Sequence, residues 1–145
     1  MALPGGDGEF SLVLRTDFSD DAAWSAVCAE LEAAEEYSTA VLEDDPRFSG
    51  ATVEALLDEE AAAAEADKVF HVFLADAFTM TDPEHRLLAV DLADEPGRTF
   101  RVPPRWFPDI SVNLGLANVD FAEFADEVDG SGTYRGLSDG GRDGA

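Results

Sequence analysis

The stretch Ser11-Leu12-Val13-Leu14-Arg15-Thr16-Asp17-Phe18-Ser19-Asp20-Asp21, continued by Ala22-Ala23-Trp24-Ser25-Ala26-Val27-Cys28-Ala29-Glu30-Leu31, decides the fold. It opens as a short aliphatic run and passes through an acidic turn. It then places Trp24, Val27, Cys28 and Leu31 at i, i+3, i+4 and i+7, which predicts strand, loop and amphipathic helix. A parallel partner strand needs a crossover helix of this kind. The stretch is therefore the first half of a βαβ unit, with Asp17, Asp20 and Asp21 at a strand's carboxyl end. Ser19 is the expected N-cap, and Asp20 and Asp21 suit the positive end of the helix dipole.

Working outward, Ser38 to Glu43 reads as a second strand closing on Glu43, Asp44 and Asp45 before Pro46 forbids its continuation. A second helix is expected from about Thr52 to Ala66, with Val53, Leu56 and Leu57 facing inward. Val69 to Asp76 is the most continuously apolar strand and should be central, because both its faces must be covered. Met80 to Arg86 reads as a turn-rich connection to a fourth strand, Leu87 to Asp94. Glu95-Pro96-Gly97 is then a three-residue hairpin loop, with Gly97 left-handed, before Arg98 to Val102 returns antiparallel. That loop length sets Asp94 opposite Arg98 and Asp91 opposite Arg101. Pro103 to Pro108 must cross the surface or a sheet edge, with Trp106 and Phe107 as a lid, and Ile110 to Asn118 fits no single pattern. A last helix carries Phe121, Phe124, Ala125 and Val128 at helical spacing behind a capping-box-like pair, Asp120 and Glu123. Gly130-Ser131-Gly132 ends it, and Tyr134 and Leu137 dock back.

The expected fold is thus a single α/β domain over residues 10–137, in the order β-α-β-α-β-β-β-α. Its mixed sheet has three parallel strands plus an antiparallel hairpin, with flanking helices. Residues 1–9 are a flexible lead-in and residues 138–145 a disordered Gly/Asp tail. A chain of 145 residues that is 46% hydrophobic, with 10 Phe and 2 Trp, can build one real core. Its mean hydropathy of -0.12 is that of a globular protein.

Charge narrows the partners. The formal net charge is -23, from 32 Asp+Glu against 9 Lys+Arg, and Lys68 is the single lysine. Such a surface repels phosphate backbones and anionic headgroups, so nucleic acid and membrane surfaces are disfavoured, whereas a basic protein is favoured. A GC-rich or salt-adapted composition accounts for the same charge without selection for binding. No apolar run reaches membrane-spanning length. The opening Met1-Ala2-Leu3-Pro4-Gly5-Gly6-Asp7 lacks the basic region and apolar core of a secretory signal, so a cytoplasmic location is expected. Cys28 has no internal partner and reads as a small buried hydrophobe.

The strongest chemical constellation is the acidic rim at the strand ends: Asp17, Asp20 and Asp21, then Asp44 and Asp45, then Asp76 and Asp82. Open α/β sheets bind ligands there, and clustered carboxylates could hold a divalent cation such as Mg²⁺ through oxygens and waters. Helix capping and turn formation explain each group separately. No Gly-rich phosphate loop follows the first strand, and no lysine stands where a receiver domain needs one. Two histidines and one cysteine supply neither a nucleophilic triad nor a structural zinc site. His71 reads as a buried strand residue. His85, beside Asp82 and Glu84, is a secondary candidate for acid–base or ligand work, as is Trp106 for a pocket with Phe107 and Tyr134.

The blocks Leu12 to Asp21 with Trp24, Glu43-Asp44-Asp45-Pro46 with Phe48, Thr52-Val53-Glu54 with Leu56, Pro83-Glu84-His85, Val90-Asp91-Leu92 with Glu95 to Val102, Asn113 to Phe121 with Phe124, and Tyr134-Arg135-Gly136 resemble a family of small actinobacterial proteins. That family is classed only as a domain of unknown function. The resemblance spans Leu12 to Leu137 and implies no activity, ligand or catalytic residue. Asn113 and Asn118, inside its blocks, complete the secondary candidates. Two functions are expected: a non-catalytic acidic module that binds a basic protein, immunity-like or regulatory, with no cofactor; or a Mg²⁺-dependent hydrolase or metal-binding protein using Asp17, Asp44, Asp45 and Asp76.

Overall fold

A computed structural model of the chain describes residues 11–34, 40–64, 69–93, 95–108, 110–111 and 121–134. Its elements are β1 (Ser11–Arg15), α1 (Asp21–Ala34), β2 (Ala40–Glu43), α2 (Val53–Ala62), β3 (His71–Ala75), α3 (Ala77–Thr81), β4 (Leu87–Asp91), β5 (Thr99–Val102) and α4 (Phe121–Asp126). Short 3₁₀ turns occupy Pro46–Phe48 and Pro104–Trp106.

The five strands form one sheet in the order β2-β1-β3-β4-β5. β1 pairs in parallel with both β2 and β3, while β3 with β4 and β4 with β5 are antiparallel. The mixed α/β fold read from the sequence is the fold observed, with the apolar third strand flanked on both sides. The chain steps from β1 to β2 in one direction and from β2 back past β1 to β3 in the other. Crossovers of one hand then put α1 and α2 on opposite faces.

Period-2 alternation feeds both faces. Val13, Phe73, Leu87, Ala89 and Phe100 point to one side, where Trp24, Val27 and Leu31 of α1 and Phe121 and Phe124 of α4 cover them. Leu12, Leu14, Val72, Leu74 and Val90 point to the other, against Phe48 and Leu56 of α2 and its lead-in. Phe107 is fully buried with its ring 4.8 Å from that of Phe73, so it belongs to the core and is no lid. Tyr134 also docks back fully buried. Its N–H donates to the Arg101 carbonyl at 2.7 Å, and the Arg101 N–H donates to the Gly132 carbonyl at 2.9 Å, so the segment closes the β5 edge.

Three local expectations are corrected. The cap of α1 is Asp20, whose Oδ1 accepts from the Ala23 N–H at 3.0 Å; the Ser19 hydroxyl turns back to Asp17 instead. The connection after β3 contains a helix, α3, because Asp76 and Thr79 form a reciprocal capping box. The β4–β5 loop is longer than three residues. Leu88 faces Arg101, and the Asp91 N–H donates to the Arg98 carbonyl, so Asp91 and Arg101 are not neighbours. The cause is the buried Asp91 carboxylate, which accepts from the Ala93 and Glu95 N–H groups and turns the chain early. Gly97 is left-handed as expected, at φ +93. Asp94, Asn113, Asn118, Asp120 and Leu137 lie outside the described residues.

Candidate functional site

Because β1, β2 and β3 run the same way, Asp17, Asp44 and Asp76 follow strand ends at one edge of the sheet. The start of β4 and the end of β5 reach the same edge, bringing Asp82, Arg86 and Arg101 to it. The strand directions therefore bring these residues to one border of the sheet, but the carboxylates of the expected rim face different partners. Asp17 accepts the Ser19 hydroxyl at 2.8 Å. Asp20 caps α1. Asp21 pairs with Arg15 at 2.8 Å, its own side chain 89% exposed. Asp44 is exposed, and Asp45 caps the Pro46–Phe48 turn through the Arg47 N–H.

Asp76 and Asp82 are the most structured. Each oxygen of Asp76 accepts from one terminal nitrogen of Arg101, at 3.0 and 2.9 Å, the bidentate fork that suits guanidinium to carboxylate. Burial pushes the Asp76 carboxyl up, but Arg101 and the Thr79 cap outweigh it and hold it below the usual carboxylate range. Asp82 receives Arg86 Nε at 2.7 Å, Arg86 Nη2 at 3.1 Å and the Arg86 N–H at 3.0 Å, and the bonding from the guanidinium does most to lower its pKa.

The arginines are what sequence reasoning missed. Arg15 is only 4% exposed, donates to the Asp17 carbonyl, and lies 4.4 Å over Phe18 and 5.6 Å from Trp24. Arg86 and Arg101 both approach the ring of Phe78, at 5.0 and 4.4 Å. The signal was present: in a chain with 9 basic residues, arginine stands at the end of β1, before β4 and inside β5.

Among the described residues no group of three or more His, Cys, Asp or Glu side chains is gathered where it could hold a metal ion.

The secondary candidates are dispersed. His85 takes a left-handed backbone, φ +50, and its Nδ1 lies 2.6 Å from Glu30 Oε2, tying the turn after α3 to α1. Trp106 stands edge-on to Tyr134 at 6.4 Å, and its indole N–H is buried without a hydrogen-bond partner among the described residues. Cys28 is half-buried; burial, with Glu32 and Asp44 nearby, pushes its thiol up, away from the reactive thiolate. His71 is driven the other way, down to about 4, by burial, against a smaller upward pull from Asp91.

No helix among the described residues is long and apolar enough to cross a membrane. A comparison with curated proteins finds no match. The model of one family, described as a domain of unknown function (DUF6924), matches residues 10–137, and the chain belongs to that family.

Proposed function

We propose that the protein is a cytoplasmic, non-catalytic binding module that engages a basic protein surface, in an immunity-like or regulatory role. The observation that supports it is the division of charge. Arg15, Arg47, Arg86, Arg98 and Arg101 are each tied into ion pairs with carboxylates. Glu32, Asp44, Glu54 and Asp58 are exposed and have no ion pair among the described residues. A surface on which most of the described arginines are locally neutralised, exposed Arg105 excepted, while these anions face water steers cationic partners and repels anionic ones. A single cysteine is in keeping with a reducing compartment. The Mg²⁺ reading has no comparable support, since Asp17, Asp45 and Asp76 already accept hydrogen bonds from Ser19, Arg47 and Arg101.

The test is affinity capture on the immobilised chain from its native extract, followed by kinetics on whatever is recovered. One defined basic partner is expected, with an association rate that falls steeply between low and physiological salt. Recovery of nothing at low salt, or only of a mixture of cationic proteins that all wash off together, removes the reading.

A further inference from the structure

At the edge of the sheet opposite the acidic rim, the end of α2 and the β4–β5 loop enclose an open groove of about 500 Å³. Leu57, Ala61, Phe70, Leu92 and Pro96 form its apolar lining, and Asp58 stands on its wall.

Phe70 is the unusual member. Its φ is +68, a conformation that a bulky side chain rarely adopts. The His71 N–H donates to the Val69 carbonyl at 2.8 Å, which makes Phe70 the centre of the rare, strained form of γ-turn. Glu60 fixes it. That carboxylate is 4% exposed and accepts the Val69 and Phe70 N–H groups at 3.0 and 2.8 Å, while the Phe70 carbonyl accepts the Leu92 N–H. All this machinery holds a phenylalanine that is, as a residue, 48% exposed. A strained turn that merely filled the core would bury its ring; this one presents it at the groove.

The charge around the groove selects the occupant. Asp58 on the wall and Glu54 one turn earlier on α2 are exposed, with no arginine paired to either among the described residues. We infer that the groove is a docking site for a cationic peptide segment of a partner protein, one large apolar side chain entering beside Phe70 while flanking Lys or Arg residues face Asp58. This rests on the basic-partner reading and adds a place and a side-chain requirement to it.

The probe is a capped pentapeptide with phenylalanine between two pairs of lysines, titrated at low salt into the full chain with backbone amide shifts as the readout. A peptide with alanine at the centre is the equal-charge control. The phenylalanine peptide should bind about tenfold more tightly, moving the amides of Leu57, Ala61, Phe70 and Leu92. Phe70→Gly should erase that preference without lowering the thermal midpoint, because glycine adopts the turn unstrained. Equal binding of the two peptides, or shifts spread over the acidic surface with the groove amides still, overturns the docking site and leaves the basic-partner reading standing. Concentration-dependent self-association that Phe70→Gly abolishes assigns the groove to a second copy and also overturns it. Failure of both peptides to bind at low salt removes the site and the broader reading together.

Discussion

His71 carries a titration that the fold must resist. Its pKa of about 4 lies below the ordinary 6.5 because burial penalises the imidazolium. Above pH 6.5 both folded and unfolded chains hold it neutral, and the residue contributes nothing to pH dependence. Between pH 6.5 and 4 the unfolded chain binds the extra proton, so stability falls as pH falls, by at most about 3 kcal/mol, and this contribution levels off below 4. Urea midpoints measured across that window should drop for the native chain and stay nearly flat for His71→Phe, which keeps the edge-on contact with Phe73. Asp76 and Asp82 act in a lower window. Their depressed pKa values supply stability that is present above about pH 4 and lost as pH falls further. Asp76→Ala removes the cap of α3 and leaves the Arg101 fork unanswered, so it should cost about 2–4 kcal/mol in denaturant unfolding. The position of Asp76 at a strand end was legible in the sequence. Its partner was not, because Arg101 arrives through the β4–β5 register, and that register depends on where the loop begins.

Among the elements, the turn from α2 into β3 shows most clearly how function-like strain is supported. Glu60→Ala leaves two N–H groups, one of them buried, without their charged acceptor and should destabilise the chain by about 2–4 kcal/mol. Phe70→Gly should instead be neutral or stabilising by up to about 2 kcal/mol, as released backbone strain exceeds the entropy cost of glycine. Chemical denaturation of the pair checks both signs. Neither residue stood out in the sequence. Glu60 sits in a helix dense with Glu and Ala, and nothing local marks one carboxylate as buried. Apolar runs did reveal β1, β3 and β4, whose two faces feed two cores. Helical spacing revealed α1, whose Trp24, Val27 and Leu31 all reach the core. The hairpin register failed because one side chain, Asp91, reorganised the loop, and turn patterns weigh backbone conformation more readily than a carboxylate reaching over two amides. α3 could have been found, since an Asp followed three residues later by Thr is a capping signature.

For the whole molecule, the α/β class and mixed sheet followed from the order of patterns. The pairing of Asp76 with Arg101 did not, because an ion pair between distant segments leaves no periodic trace. The two borders of the sheet differ in a way that matters for handling the protein. One border is sealed by Thr133 and Tyr134 bridging to β5 and its neighbourhood. Along the other, β2 leaves Val41 and Leu42 at 41% and 37% exposure and ends in Glu43-Asp44-Asp45, with no strand on its outer side among the described residues. Anions at such a border act as gatekeepers against stacking of one chain on the next. Replacing them together, by Glu43→Gln, Asp44→Asn and Asp45→Asn, should make concentrated solutions cloud into ribbons, visible as turbidity and thioflavin fluorescence. Val41→Lys should keep them clear, so that the excess of acidic residues doubles as a colloidal safeguard for an unsealed seam.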